Sequence, residues 1–149
     1  MADLLSRLDL HYYQDFCVDF IKNHPAAAIF LDCGLGKTII TLIALSDLLF
    51  DSFEIRRVLV IAPLRVATIS WPNEFNKWSC LESLKFSVAV GTEAERRVAL
   101  IKPADIYIIN RENVQWLIEE SKLPFNFDTV ATRVSLLTWV TAGTTAERG

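Results

Sequence analysis

Asp32-Cys33-Gly34-Leu35-Gly36-Lys37-Thr38 constrains this chain more than any other stretch. It stands between an apolar run, residues 26–31, that reads as a buried strand and a second, residues 38–50, that is apolar on more than one face, as in a helix packed under a sheet. A strand, a glycine turn and a helix in that order let backbone N–H groups turn inward around an anion, and the helix N-terminus adds its partial positive charge. Lys37 would then reach the β- and γ-phosphates of a nucleotide, and the Thr38 hydroxyl would coordinate magnesium. The pattern G-x-x-x-x-G-K-[ST] asks for glycine at position 31, where this chain has Leu31. The competing reading is a plain glycine turn that ends in a surface lysine. Cys33, beside Lys37 and the helix start, stands where a thiolate is favoured, or else fills space without chemistry.

The same alternation runs through the rest of the chain. Tyr13, Phe16, Cys17, Phe20 and Ile21 recur at helical spacing, and His24-Pro25 stops the helix, which is expected over residues 12–23. Val58-Leu59-Val60-Ile61-Ala62 is a continuous apolar run, the mark of a parallel strand covered on both faces. A helical stretch follows over residues 66–78, with Pro72 placed to start its second part. Trp71, Phe75 and Trp78, spaced by four and three, read as core packing. Residues 86–90 and 106–110 are further strands, and residues 93–101 and 112–120 further helices. Strand and helix in repeated alternation predict a doubly wound α/β domain with a mainly parallel sheet. Arg56-Arg57 and Arg96-Arg97 are expected on solvated faces.

With 149 residues, 52% of them apolar, the chain can bury a core. A net charge of −3 gives no general reason to bind a polyanion, so any nucleic-acid contact must come from a local patch. Cys17, Cys33 and Cys80 form no C-x-x-C pair and leave an odd thiol, which fits a reducing compartment. The first residues lack the basic flank and apolar stretch of a signal peptide, and the uncharged stretch over residues 134–146 is shorter than the roughly 20 residues a spanning helix needs. A cytoplasmic location and no membrane partner are expected.

On these residues the chain resembles the superfamily-two helicase-like ATPases, especially the Swi/Snf-type branch and its phage relatives, whose phosphate loop typically reads D-x-G-x-G-K-T. The resemblance implies a three-layer, RecA-like P-loop NTPase domain, ATP and Mg2+ as cofactors, and DNA as partner. Leu10-His11-Tyr12-Tyr13-Gln14 is similar to that branch's adenine-recognising segment, which implies that the Gln14 amide reads the adenine edge. "VLVIAPLRVATISWPNEFNKW" is similar to the next motif, where a strand ends in proline and a loop touches the nucleic-acid backbone. Pro63, Leu64 and Arg65 fall in that loop, and arginine's planar fork suits a phosphate. "DIYIINRENVQWL" resembles the strand and loop of a further nucleic-acid contact, with Asn110 and Arg111 at the turn; a plain cap on the helix that follows is the equal alternative for Asn110.

Members of that branch next carry a strand ending in Asp-Glu, and Phe127-Asp128-Thr129-Val130 resembles its lead-in. The acidic pair would fall near positions 133 and 134, which hold Arg133 and Val134. An arginine there repels magnesium instead of ligating it. Residues 131–149 also turn rich in Thr, Ala and Val. The expected organisation is an incomplete N-terminal part of a helicase ATP-binding domain over residues 1–130 and a divergent or out-of-frame tail over 131–149, in a chain that binds nucleotide without hydrolysing it. A small complete P-loop ATPase or kinase, and a non-catalytic interaction module, are the alternatives. A genuine final strand and helix is the alternative for the tail.

Overall fold

The computed structural model describes residues 10–24, 26–30, 37–51, 55–123, 127, 129–134 and 137–142. Helix α1 covers Tyr12–Lys22 and leads into strand β1, Ala26–Phe30. Helix α2, Lys37–Ser46, widens into a π-helical turn over Asp47–Asp51. Strand β2, Val58–Ala62, is followed by a second π-helical turn, Val66–Ser70, that runs directly into helix α3, Trp71–Lys77. Pro72 lies in the first turn of α3, directly after the π-helical turn, where it offers no N–H to the carbonyls of the turn before it. Strand β3, Phe86–Ala89, helix α4, Glu93–Ile101, and strand β4, Ile106–Asn110, come next.

The segment expected as a helix over residues 112–120 is helical throughout, but its period changes along it. A 3-10 turn, Arg111–Asn113, gives way to a π-helical turn, Trp116–Glu120, whose wider spacing brings both Trp116 and Leu117 into the core. Strands β5, Thr129–Val134, and β6, Leu137–Ala142, close the described chain.

All six strands form one sheet in the order β1-β6-β5-β2-β4-β3. Four of them, β5, β2, β4 and β3, run parallel, and β6 is antiparallel to both its neighbours, β5 and β1. The sheet is therefore mainly parallel, with one reversed strand between β1 and the parallel block.

Strand alternation distributes the core over both faces. Val58, Val60, Ile106, Ile108 and Ala131 pack on one face with Val18, Ile21, Ile40, Ile43, Trp71 and Phe75 of the first three helices. Leu59, Tyr107, Ile109 and Ala89 pack on the other with Leu100, Trp116, Leu117 and Phe127. Burial on both faces explains why β2 and β4 read as unbroken apolar runs. Each fully buried Ile, Leu or Val contributes roughly 1.5–3 kcal/mol, so these two strands anchor the domain. The packing of Trp71, Phe75 and Trp78 agrees with their spacing: all three are buried, and the Trp78 indole N–H donates to Glu74 at 3.0 Å.

Arg56 is exposed as expected, but the other three paired arginines are not simply solvated. Arg57 lies 4.6 Å above the Tyr107 ring and 5.2 Å above that of Phe127. Arg96 and Arg97 lie over Trp116, at 4.3 and 5.4 Å. Arg96 also donates to the Gly91 carbonyl, and Arg97 to the Ser121 carbonyl and the Glu93 carboxylate. Their aromatic partners come from elsewhere in the chain, and the planar guanidinium stacks on them. At Gly91 φ is +95°, and a side chain there would collide with Glu95, so this tight turn into α4 requires glycine.

Candidate nucleotide and nucleic-acid site

In open α/β sheets, ligands bind outside the carboxyl ends of the parallel strands. Here β1 ends at Phe30, β2 at Ala62, β4 at Asn110 and β5 at Val134, all at the same edge, because β1 and β5 are both antiparallel to β6. The segments that follow them carry most of the residues singled out in the sequence.

Six residues separate β1 from α2, and Lys37 is the first residue of that helix. Strand and helix thus flank the glycine segment in the order an anion-binding turn requires. Asp32, Cys33, Gly34, Leu35 and Gly36 lie outside the described residues. Thr38, in the first turn of α2, is buried, and Thr41 one turn later is fully so.

Gln14 is also buried, and its side-chain oxygen accepts the backbone N–H of His11 at 2.9 Å, which closes the first turn of α1. Helix α1 is held against the end of α2 by an ion pair of 3.1 Å between Lys22 and the buried Asp47. Gln14 is therefore fixed in place by its own helix, on an element tied to the one that Lys37 begins.

After β2, Pro63 is half-buried while Leu64 and Arg65 are exposed. The Ala67 N–H donates to the Pro63 carbonyl at 2.9 Å, and the Thr68 hydroxyl to the Leu64 carbonyl at 2.8 Å. These bonds pin the turn and leave the Arg65 side chain outside it.

After β4, Asn110 is buried and both ends of its amide are engaged. Its nitrogen donates to Glu112 at 3.0 Å, and its oxygen accepts from Asn113. The Glu112 N–H and the Asn110 amide hold the Glu112 carboxyl below the usual glutamate range. Asn110 is thus the hub of the turn, and Arg111 is its exposed member. Sequence reading passed over Asn113, although its place three residues after Asn110, at a helix start, is the spacing at which such side chains meet.

Phe30, Leu137 and Val134 lie in one row across the sheet, so β5 ends two strand spacings, about 10 Å, from the end of β1. Positions 133 and 134 are the last two of β5, at the same edge of the sheet as the end of β1. They hold Arg133 and Val134. Among the described residues no group of three His, Cys, Asp or Glu could hold a metal ion, and no helix is long and apolar enough to cross a membrane.

The model of the SNF2-related domain matches residues 13–142. The chain belongs to the SNF2-related domain family. Its matched region starts beside Gln14 and runs through β6. The chain is 34% identical over 109 residues to protein p41 of Acyrthosiphon pisum secondary endosymbiont phage 1, an alignment that covers 72% of this chain and 24% of that protein. Among solved structures it resembles the Sulfolobus solfataricus SWI2/SNF2 ATPase core in complex with dsDNA, with a TM-score of 0.57, 25% identity, and coverage of 74% of this chain and 23% of that one. The SNF2-related chain thus spans about a quarter of the length of these relatives. It carries a helicase-like ATPase fold of the Swi/Snf type.

Proposed function

We propose that this chain is the ATP-binding portion of a DNA helicase or translocase-like motor, and that by itself it grips Mg2+·ATP without hydrolysing it. The observation that carries the reading is the disposition of β1 and α2, which flank the glycine segment in sequence, with Lys37 and Thr38 opening the helix after the carboxyl end of β1. A triphosphate there would meet the helix N-terminus, the Lys37 ammonium and the Thr38 hydroxyl. Gln14 would stand at the adenine end, on a helix clamped to α2 by Lys22 and Asp47. Bound magnesium would supply positive charge beside the phosphates, with the Thr38 hydroxyl among its ligands.

The residues fit the nucleotide better than they fit hydrolysis. Thr38 supplies one magnesium ligand, but β5 ends on Arg133-Val134 and brings no carboxylate to the metal or the attacking water. Electrostatic stabilisation is the largest single term in such catalysis, and a strand-end carboxylate would supply part of it. The division at residue 130 belongs to the same proposal: the front portion supplies the nucleotide face, and the segment beyond supplies strands without its acids.

DNA enters through the turns after β2 and β4. Arg65 and Arg111 are exposed at the same edge as the nucleotide turn, so both can meet a phosphate backbone. Pro63, Leu64 and Asn110 shape those turns. The solved relative is a complex with dsDNA, which supports DNA as the polymer. Because the contacts are to phosphates, Arg65→Ala should weaken binding equally across sequences and lower the salt slope of the binding constant by about one ion.

The test is equilibrium binding of Mg2+·ATP to the purified chain, with hydrolysis measured in parallel. Weak saturable binding that Lys37→Ala abolishes, with phosphate release at background, supports the reading. Turnover by the wild-type chain would point to a complete small ATPase, and absence of any nucleotide affinity to an interaction module.

A further inference from the structure

Helix α4 carries a surface that the nucleotide reading leaves unused. Ala94, Val98 and Ile101 form an apolar line along it, with Val98 64% and Ile101 69% exposed. Beside them an open groove of about 780 Å³ runs between α4 and the outermost strand, β3. Along that groove lie Glu95, Val98 and Ala99 of α4 and Lys102, the residue that ends the helix, at the 3-4 spacing of a helix-pairing stripe.

The charges on this stripe decide what it can accept. Arg97 is taken up by Glu93 and the Ser121 carbonyl, and Arg96 by the Gly91 carbonyl and the Trp116 ring. Glu95 and Lys102 are the charges that line the groove; both are exposed and neither forms a salt bridge among the described residues, the Glu95 carboxylate resting against Gly91 from which it must swing out to meet a partner. They lie 3.5 residues to either side of the midpoint between Val98 and Ala99, or about 5 Å along the axis at a 1.5 Å rise.

An antiparallel copy of the same helix, related by a two-fold axis through that midpoint, sets Glu95 level with Lys102 of its mate, and Lys102 level with Glu95. The bulky Val98 then faces the small Ala99. A parallel copy would set like charge on like. A polyanion would meet Glu95 at one end, and a basic segment would meet Lys102 at the other. The stripe is complementary to itself, the property that an isologous dimer interface needs.

We infer that this chain self-associates through α4 as a weak antiparallel two-fold dimer, each copy laying its helix along the groove of the other. The interface is small, so affinity is modest and depends on both the apolar line and the two reciprocal ion pairs. The inference is independent of the nucleotide reading, since α4 carries none of the residues proposed for ATP or DNA.

Sedimentation velocity of the full chain, from micromolar to near-millimolar concentration, tests it. A reversible monomer–dimer equilibrium is expected. Glu95→Lys and Lys102→Glu should each weaken dimerisation by about tenfold or more, since each change sets like charges together at two places. The double variant Glu95→Lys/Lys102→Glu should return to within a few-fold of wild type. Val98→Asp should weaken the dimer further than either charge reversal, with far-ultraviolet circular dichroism unchanged to show that the fold survives. A chain that stays monomeric throughout the range would overturn the inference, as would a dimer indifferent to these substitutions or a double variant no better than the single ones.

Discussion

The two halves of the sheet are built differently. From β5 outward to β3 the strands are parallel and joined by crossovers, and the central ones are buried on both faces. On the other side, β1 joins the sheet only through β6, a reversed strand delivered by a hairpin with two residues between its strands. The first half is held by long-range packing between many elements. The second, which precedes the glycine segment in sequence, is joined to the sheet among the described residues by one late strand from the compositionally distinct end of the chain. In the proposal the halves also differ chemically: Lys37 and Thr38 stand after β1, whereas β5 ends on Arg133-Val134 without a carboxylate.

The comparison breaks most severely if the hairpin is removed. A chain that stops after Val134 lacks β6, and β1 loses its strand partner in the sheet. Loss of a single cooperative thermal transition is expected; a truncated chain that melts like the intact one would show that β1 is held by its helices alone. Next in size is Trp71→Ala in the parallel half. Trp71 is 1% exposed, so its truncation should cost about 3–5 kcal/mol in urea denaturation. A cost below about 1 kcal/mol would mean that this face is less well packed than it looks.

A smaller effect sharpens the link between α1 and α2. Lys22→Met leaves the buried Asp47 without its ammonium partner and should destabilise by about 1–3 kcal/mol. Because α1 carries Gln14, nucleotide affinity should fall as well. An unchanged affinity would separate Gln14 from the site.

The smallest effect concerns the turn after β4. The folded-state pKa of Glu112 lies below its unfolded value, so its contribution to stability is present above the unfolded value and is lost as pH falls through the folded one. Glu112→Gln should flatten that part of the acid limb of a stability–pH profile. An identical slope in the variant would remove Glu112 from the network.

Much of this architecture was legible because period and burial agree. The observed bounds of β2, α4 and β4 coincide with the expected ones, since continuous apolar runs and an Arg- and Glu-bearing amphipathic segment leave little choice. Three features escaped local reading. The π-helical turns at Asp47–Asp51, Val66–Ser70 and Trp116–Glu120 add a residue per turn that a 3.6-residue period does not see. The arginine stacks pair residues far apart in sequence, such as Arg57 with Tyr107, and no window captures both. The stretch after residue 130 lost the helix–strand alternation because it holds two strands in succession, and its Thr and Val content is itself the strand signal.

In the candidate site, the turns after β2 and β4 were placed by their strand ends. The internal bonding of Asn110, Glu112 and Asn113 depends on a turn geometry that residue types alone do not specify.

Phosphorus NMR of the chain mixed with Mg2+·ATP tests the central claim most directly, because one spectrum reports both grip and cleavage. The account predicts shifted or broadened β- and γ-phosphate resonances that Lys37→Ala returns to their free values, and no inorganic phosphate growing in with time. Resonances identical to free nucleotide, or a phosphate signal that grows with the wild-type chain, would contradict it.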